Sequence, residues 1–283
     1  MKIQNQILKD GRKLSFSICG ALNGEPVFYF HGFPGSHLEV ELTGLKETAE
    51  KLNIRMIAVN RPGYGDSDFQ RKRCLLDWPD DICELADSFK IEKFSVLGYS
   101  GGGPFALACA YKVPKRLKKV IVVSGMGSVY APGAKKVPSW SIIKLPGFVM
   151  NIILKGMKKI VEQKPEKFLS SMNKSLPKVD VEALKNFKLE KDFIVVLKEA
   201  FKSGIKGAKH DAKIYRKHWG FKLNGIDHKV HLWHGEEDAN VKIKTAQFIA
   251  SKLPNCFSNF YPKEGHLSLI VNKSNEILET FTK

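Results

Sequence analysis

Short apolar runs and helically spaced apolar positions take turns along the first third of this chain. Residues 3–9 and 13–18 read as two strands joined at Asp10-Gly11, a pair suited to a tight hairpin turn. Residues 27–30, 56–59, 94–97 and 120–123 are near-continuous apolar runs. Between them, Leu38, Leu42, Leu45, Ala49 and Leu52 recur at helical spacing, which predicts a helix over 38–52. Two more helices are expected near 77–89 and 103–112. Strands that are apolar on both faces, separated by helices, indicate a parallel sheet covered on both sides.

The rhythm then breaks. From Met126 to about Asn224 the signals are helical, over 148–161, 165–173, 180–188, 191–203 and 207–218, with Pro146, Pro165 and Pro177 between them. The α/β pattern returns with a strand at 230–233, a helix over 241–252, a strand at 256–261 and a closing helix over 267–281. The expected organisation is an α/β core made of residues 1–124 and 225–283, interrupted by a helical insertion at 125–224.

Composition refines this picture without changing it. The chain has 283 residues, enough for one large domain or a domain with a sizeable insertion. It shows no apolar leader and no run long enough to span a membrane, so a soluble cytoplasmic protein is expected. Five cysteines without regular spacing argue against a disulfide framework, and Cys83 and Cys109 fall in apolar settings. The net charge is +17, and residues 125–222 carry 21 basic against 8 acidic residues. Only 7 of the 46 basic residues are Arg, whereas base and phosphate readers rely heavily on the planar guanidinium. Solvated lysine faces are therefore preferred to a nucleic-acid partner.

One segment of the insertion is amphipathic. Asn151, Lys155, Lys158, Lys159 and Glu162 share one face, and Phe148, Ile152, Ile153, Met157 and Ile160 the opposite one. The expected arrangement turns the apolar face toward the active site and leaves the lysines in water. Engagement of an anionic lipid surface is the alternative.

The candidate chemistry begins at Gly98-Tyr99-Ser100-Gly101-Gly102, the only G-x-S-x-G in the chain. It lies between a predicted strand and a predicted helix, where a sharp turn lifts a serine hydroxyl clear of the backbone. Glycines at 98 and 102 would let the two arms of the turn approach, and the Gly101 N–H at a helix start could hold an oxyanion. A serine needs a base, and the base an orienting carboxylate. Asp238 follows the strand at 230–233, with Glu236 and Glu237 as rivals, and His266 follows the last strand. His31-Gly32-Phe33-Pro34 follows the third strand, and the Phe33 N–H is the natural second oxyanion donor. His31 reads as a brace for that loop, and His234 as a locally bonded residue. No Cys/His cluster has zinc spacing, and the chemistry needs neither metal nor cofactor.

These segments, "HGFPGS" at 31–36, "NRPGYGDSD" at 60–68, "GYSGGGPFALA" at 98–108, "HGEEDANV" at 234–241 and "EGHLSL" at 264–269, together resemble the α/β-hydrolase superfamily, in its HG-x-P group of capped esterases, lipases and haloperoxidase-like enzymes. The resemblance covers the core and implies an eight-stranded, mostly parallel sheet with a helical lid. It implies a Ser100–Asp238–His266 triad, with Phe33 and Gly101 forming the oxyanion hole and the 60–68 loop mainly architectural. Serine at the apex excludes the aspartate-dependent dehalogenases and epoxide hydrolases of that superfamily. The expected function is hydrolysis of small or lipid-like carboxylic esters through an acyl-enzyme. A proline iminopeptidase, a C–C bond hydrolase or a non-catalytic receptor on the same fold are the alternatives. The apolar lid residues Trp140, Phe168, Met172, Phe187 and Phe193 could roof an acyl pocket.

Overall fold

Pairing of the apolar runs produces an eight-stranded sheet in a computed structural model that describes residues 1–128, 145–186 and 189–283. The strands are β1 (Ile3–Ile7), β2 (Lys13–Gly20), β3 (Glu25–Phe30), β4 (Ile54–Val59), β5 (Phe94–Tyr99), β6 (Leu117–Val123), β7 (Val230–Gly235) and β8 (Cys256–Tyr261). Their order across the sheet is β1-β2-β4-β3-β5-β6-β7-β8. β2 is antiparallel to both β1 and β4, and every later pair is parallel.

Side chains along the central strands alternate between two buried clusters. Phe28, Phe30, Val96 and Val122 face one side, and Val27, Tyr29, Leu97 and Val123 the other. Because successive strand residues point to opposite faces, a run buried on both must be apolar throughout, as these are. Helices α1 (Glu39–Leu42) and α2 (Leu45–Lys51) contribute to the second face, and α3 (Trp78–Ser88) and α4 (Gly103–Lys112) cover the first.

Between β6 and β7 lie α5 (Gly147–Gln163), α6 (Pro165–Ser175), α7 (Lys178–Asn186), α8 (Glu190–Ala200) and α9 (Lys206–Tyr215). No strand occurs in this stretch among the described residues. Trp140 and Phe187 lie outside the described residues. The chain finishes its sheet with α10 (Ile243–Lys252) before β8, then α11 (His266–Asn272) and α12 (Ser274–Thr282). Among the described residues no helix is long and apolar enough to cross a membrane.

Three expectations need correction. Residues 38–52 form two helices, because Gly44 adopts a left-handed conformation (φ 70°) that ends the first and starts the second. The closing helix is likewise broken, at Lys273. In α5 the expected apolar face is only partly the packed one: Ile153 and Met157 are half-buried beside the buried Met150, Leu154 and Val161, whereas Phe148 is 70%, Ile152 65% and Ile160 44% exposed. Apolar residues occupy two sides of this helix, so spacing alone does not say which side packs.

Parallel register brings the site together. Phe30 pairs with Gly98, Tyr99 with Val123, Val123 with Trp233, and Gly235 with Tyr261. The loops leaving β3, β5, β7 and β8 therefore open at the same edge of the sheet, where open α/β sheets present their ligands.

Candidate active site

Ser100 sits immediately after β5 with φ 50°, a left-handed conformation that is uncommon for a residue with a Cβ. The turn is closed by its glycines. A Cβ on Gly98 would lie 2.5 Å from the Gly102 carbonyl oxygen, and one on Gly102 would lie 2.0 Å from that of Phe30. The close approach of Gly98 and Gly102 matches the sequence reading, and the contact of Gly102 with the end of β3 adds a second reason for glycine there. Ser100 is only 8% exposed at this strained turn, and its hydroxyl faces His266.

The other candidates converge on that hydroxyl. His266 Nε2 is 2.8 Å from Ser100 Oγ, and its Nδ1 is 2.7 Å from Asp238 Oδ2. Asp238 is buried at the turn after β7, and its Oδ1 accepts the N–H groups of Asn240 and Val241 at 2.8 and 2.7 Å. Its rivals Glu236 and Glu237 are exposed. His234 is buried and bonds locally, its Nε2 2.7 Å from the Val241 carbonyl oxygen.

Electrostatics favour a charged relay. Burial alone would lower the His266 pKa, but the Asp238 carboxylate, helped by Asp180 and Glu39, holds it above the ordinary histidine value. Burial pushes Asp238 up, yet the charge and hydrogen bond of His266 keep it below the usual aspartate value.

Phe33 and Gly101 meet next to Ser100. A Cβ on Gly101 would lie 3.1 Å from the Phe33 nitrogen and 2.7 Å from the Phe33 Cβ. The loop carrying Phe33 is held by residues that the sequence did not single out. Glu39 Oε2 accepts the Gly32 N–H at 2.8 Å and the Tyr29 hydroxyl at 2.9 Å. Burial raises the Glu39 pKa to about 7, against the opposing pull of those donors, Arg61 and His266. Arg61 donates to the carbonyl oxygens of His31 and, at 2.8 Å, of Gly32. His31 Nε2 accepts the Arg61 N–H at 3.2 Å, so the histidine is a brace and not a base.

The helices between β6 and β7 close over this arrangement. Asp211 of α9 binds Arg61 at 2.8 Å and also pairs with Arg73, and the Tyr64 hydroxyl donates to it at 2.9 Å. The Tyr215 hydroxyl donates to the Gly101 carbonyl at 2.9 Å. Asp180 of α7 accepts from the main chain at His266. None of these acids was legible in advance. Asp180 reads as a first-turn residue of its own helix, and Asp211 is one acid amid lysines; the latter isolation was the only available signal.

Two adjoining cavities, of about 240 and 290 Å³, both border Phe33, Ser100, Met157 and His266. The first extends along Phe168, Met172, Leu176, Leu184 and Phe193, and the second along Met126, Ile153 and Leu154. A larger cleft of about 520 Å³, flanked by Arg71, Lys206, Lys209, Lys213 and Arg216, does not reach Ser100.

A family model described as alpha/beta hydrolase fold matches residues 25–273, and the chain belongs to that family. It is 29% identical over 143 residues to the human serine hydrolase BPHL, covering 43% of this chain and 49% of that protein. It is 25% identical over 168 residues to a proline iminopeptidase of Thermoplasma volcanium, covering 58% of this chain and 49% of that protein. These matches span about half the length of the curated relatives. An alpha/beta hydrolase fold protein from Nakamurella multipartita superimposes with a TM-score of 0.72 at 20% identity, covering 99% of this chain and 97% of that one.

Proposed function

We propose that this hydrolase cleaves carboxylic esters of small or lipid-like substrates through an acyl-enzyme on Ser100. The hydrogen-bonded relay from Ser100 through His266 to Asp238, at 2.8 and 2.7 Å, carries the reading. His266 takes the hydroxyl proton as Oγ attacks the ester carbonyl, and Asp238 holds the imidazole and stabilises its charged form. The N–H groups of Phe33 and Gly101 receive the oxyanion. His266 then protonates the leaving alkoxide and activates the water that releases the acid.

The apolar walls favour an acyl chain. Met157, Phe168, Met172, Leu176 and Phe193 come from the helical segment between β6 and β7, which on this reading acts as a lid. The likeness to a proline iminopeptidase raises the alternative of a cationic substrate amine. Among the described residues the one carboxyl other than Asp180 on the Ser100 cavity is Glu39, and its tendency to hold a proton near neutrality makes it a poor anchor for a cation.

Purified protein would be incubated with a fluorophosphonate probe and with p-nitrophenyl esters of increasing chain length. Labelling of wild type but not of Ser100→Ala, together with ester turnover, is expected. Labelling of both proteins, or none of the wild type, would refute the nucleophile. Turnover of aminoacyl-prolyl substrates in preference to esters would replace ester hydrolysis by peptidase activity.

A further inference from the structure

The helix that begins with His266 is capped from outside its own segment. The first N–H groups of any helix lack intrahelical partners, and a side chain at the N-cap commonly accepts from them. Here the N-cap residue is Gly265, which has no side chain to offer. Asp180, fully buried in α7, supplies the acceptors instead. Its Oδ2 receives the His266 N–H at 3.0 Å, and its Oδ1 those of Leu267 and Ser268 at 3.0 and 2.8 Å. The approach requires the glycine: a Cβ at 265 would lie 2.5 Å from Asp180 Oδ1. The residues concerned are 86 to 88 positions apart in the chain.

The same helix walls the cavity at Ser100, where Asp180 and Leu184 both face it. One helix, α7, thus both lines the cavity at the nucleophile and holds the main chain of the candidate base. We infer that Asp180 is a positioning residue that keeps His266 within reach of Ser100 only while α7 is seated, so that lifting this helix disengages the base. The inference rests on the esterase reading for its consequence in catalysis, but the latch itself is a matter of main-chain geometry.

Asp180 also bears on the charge of His266. The imidazole is faced by Asp238 and His234 from the β7 side, Glu39 from α1, Tyr99 from β5 and Asp180 from α7. With the others unchanged, loss of the Asp180 charge withdraws one contribution that raises the His266 pKa.

The test compares wild type with Asp180→Asn and Gly265→Ala. Asparagine keeps the size but presents a donor where an acceptor is needed, and alanine at 265 pushes the carboxylate away without altering it. Circular dichroism establishes that each variant is folded. NMR titration of the His266 ring and kcat and KM on a p-nitrophenyl ester are then measured. For Asp180→Asn the expected results are a His266 titration displaced to lower pH and a kcat reduced by about 10²-fold with KM nearly unchanged. Gly265→Ala should lose kcat in the same way.

A residue that merely stabilised the fold would lower the melting temperature and leave the titration and kcat of the folded variant alone. Unchanged titration and kcat in a folded Asp180→Asn overturn the inference. Should that variant not fold, unchanged kcat in Gly265→Ala overturns it. The titration needs no substrate, so an unchanged His266 in a folded Asp180→Asn counts against the inference even if the wild type proves inert to esters and fluorophosphonate, a result that would count against the esterase reading alone.

Discussion

Arg61 and Asp211 meet 2.8 Å apart with neither side chain exposed to solvent, although 150 residues separate them in the chain. Arg73 binds the other oxygen of the same carboxylate. The pair ties α9 to the loop that carries Phe33, because Arg61 also holds the carbonyls of His31 and Gly32.

Breaking this cluster from the acid side leaves two buried guanidinium groups uncompensated. Asp211→Asn is expected to cost about 3–5 kcal/mol in urea unfolding. The neighbouring arginines, working against burial, hold Asp211 at about 2. Its folded value lies below its ordinary 3.8, so its contribution is complete above that pH and is lost as pH falls toward 2. The variant should therefore lose less stability than wild type between pH 5 and pH 2, as followed by thermal melts.

Asp238→Asn should lower kcat by about 10⁴-fold, since the imidazole loses both its tautomer partner and its counter-charge. Glu237→Gln, a change at an exposed residue, should leave kcat within about twofold of wild type. In the wild type the acidic limb of kcat/KM should have a midpoint above 6.5, because the net effect of the carboxylates is to raise His266. A midpoint below that value would show that burial dominates.

Gly101→Ala tests the oxyanion site. The new methyl would crowd the Phe33 Cβ at 2.7 Å and the Tyr215 hydroxyl at 2.8 Å, spreading the two candidate donors. Loss of one such donor costs about 10²–10³ in rate. A fall in kcat of about 10² with KM little changed is expected; wild-type kcat in a folded variant would remove Gly101 from the site.

Glu39 offers a pH signature of the opposite sign to Asp211. Burial raises its folded pKa to about 7 from 4.5. A carboxyl shifted upward stabilises the fold fully below its unfolded pKa and loses that contribution as pH rises through the folded one, here up to about 3 kcal/mol. Glu39→Gln can still accept from Gly32 and Tyr29, but carries no charge. Its melting temperature should fall less than that of the wild type between pH 5 and pH 8, measured by scanning calorimetry.

Features with local causes were readable in the sequence. The elbow at Gly98–Gly102, the parallel strands and the turn positions of Asp238 and His266 all follow from short-range patterns. The break at Gly44 was hidden because the apolar spacing of Leu42, Leu45 and Ala49 runs straight through it. The packed side of α5 was hidden because both of its sides carry large apolar residues. Glu39, Asp180 and Asp211 were hidden for another reason. Glu39 and Asp180 stand in the first turn of a helix, where an acid ordinarily faces water and complements the helix dipole, and Asp211 stands among lysines in the second turn of α9, as on a solvated face. Only tertiary contacts from 7 to 150 positions away turn these three inward.

The distance along the chain between Ser100 and His266, 166 residues, sets an order of events in synthesis. The serine turn is built from β3, β5 and α4, all within the first 112 residues, and a chain emerging from its N-terminal side can shape it early. The imidazole arrives only after β7 and then β8, the outermost strand of the sheet, have been made. Until that strand docks, a ribosome-bound chain displays the hydroxyl without a partner to take its proton, and a lone serine is a weak nucleophile at neutral pH. The placement of the histidine beyond an edge strand thus works as a timer, keeping the proposed hydrolytic chemistry silent in every half-made copy.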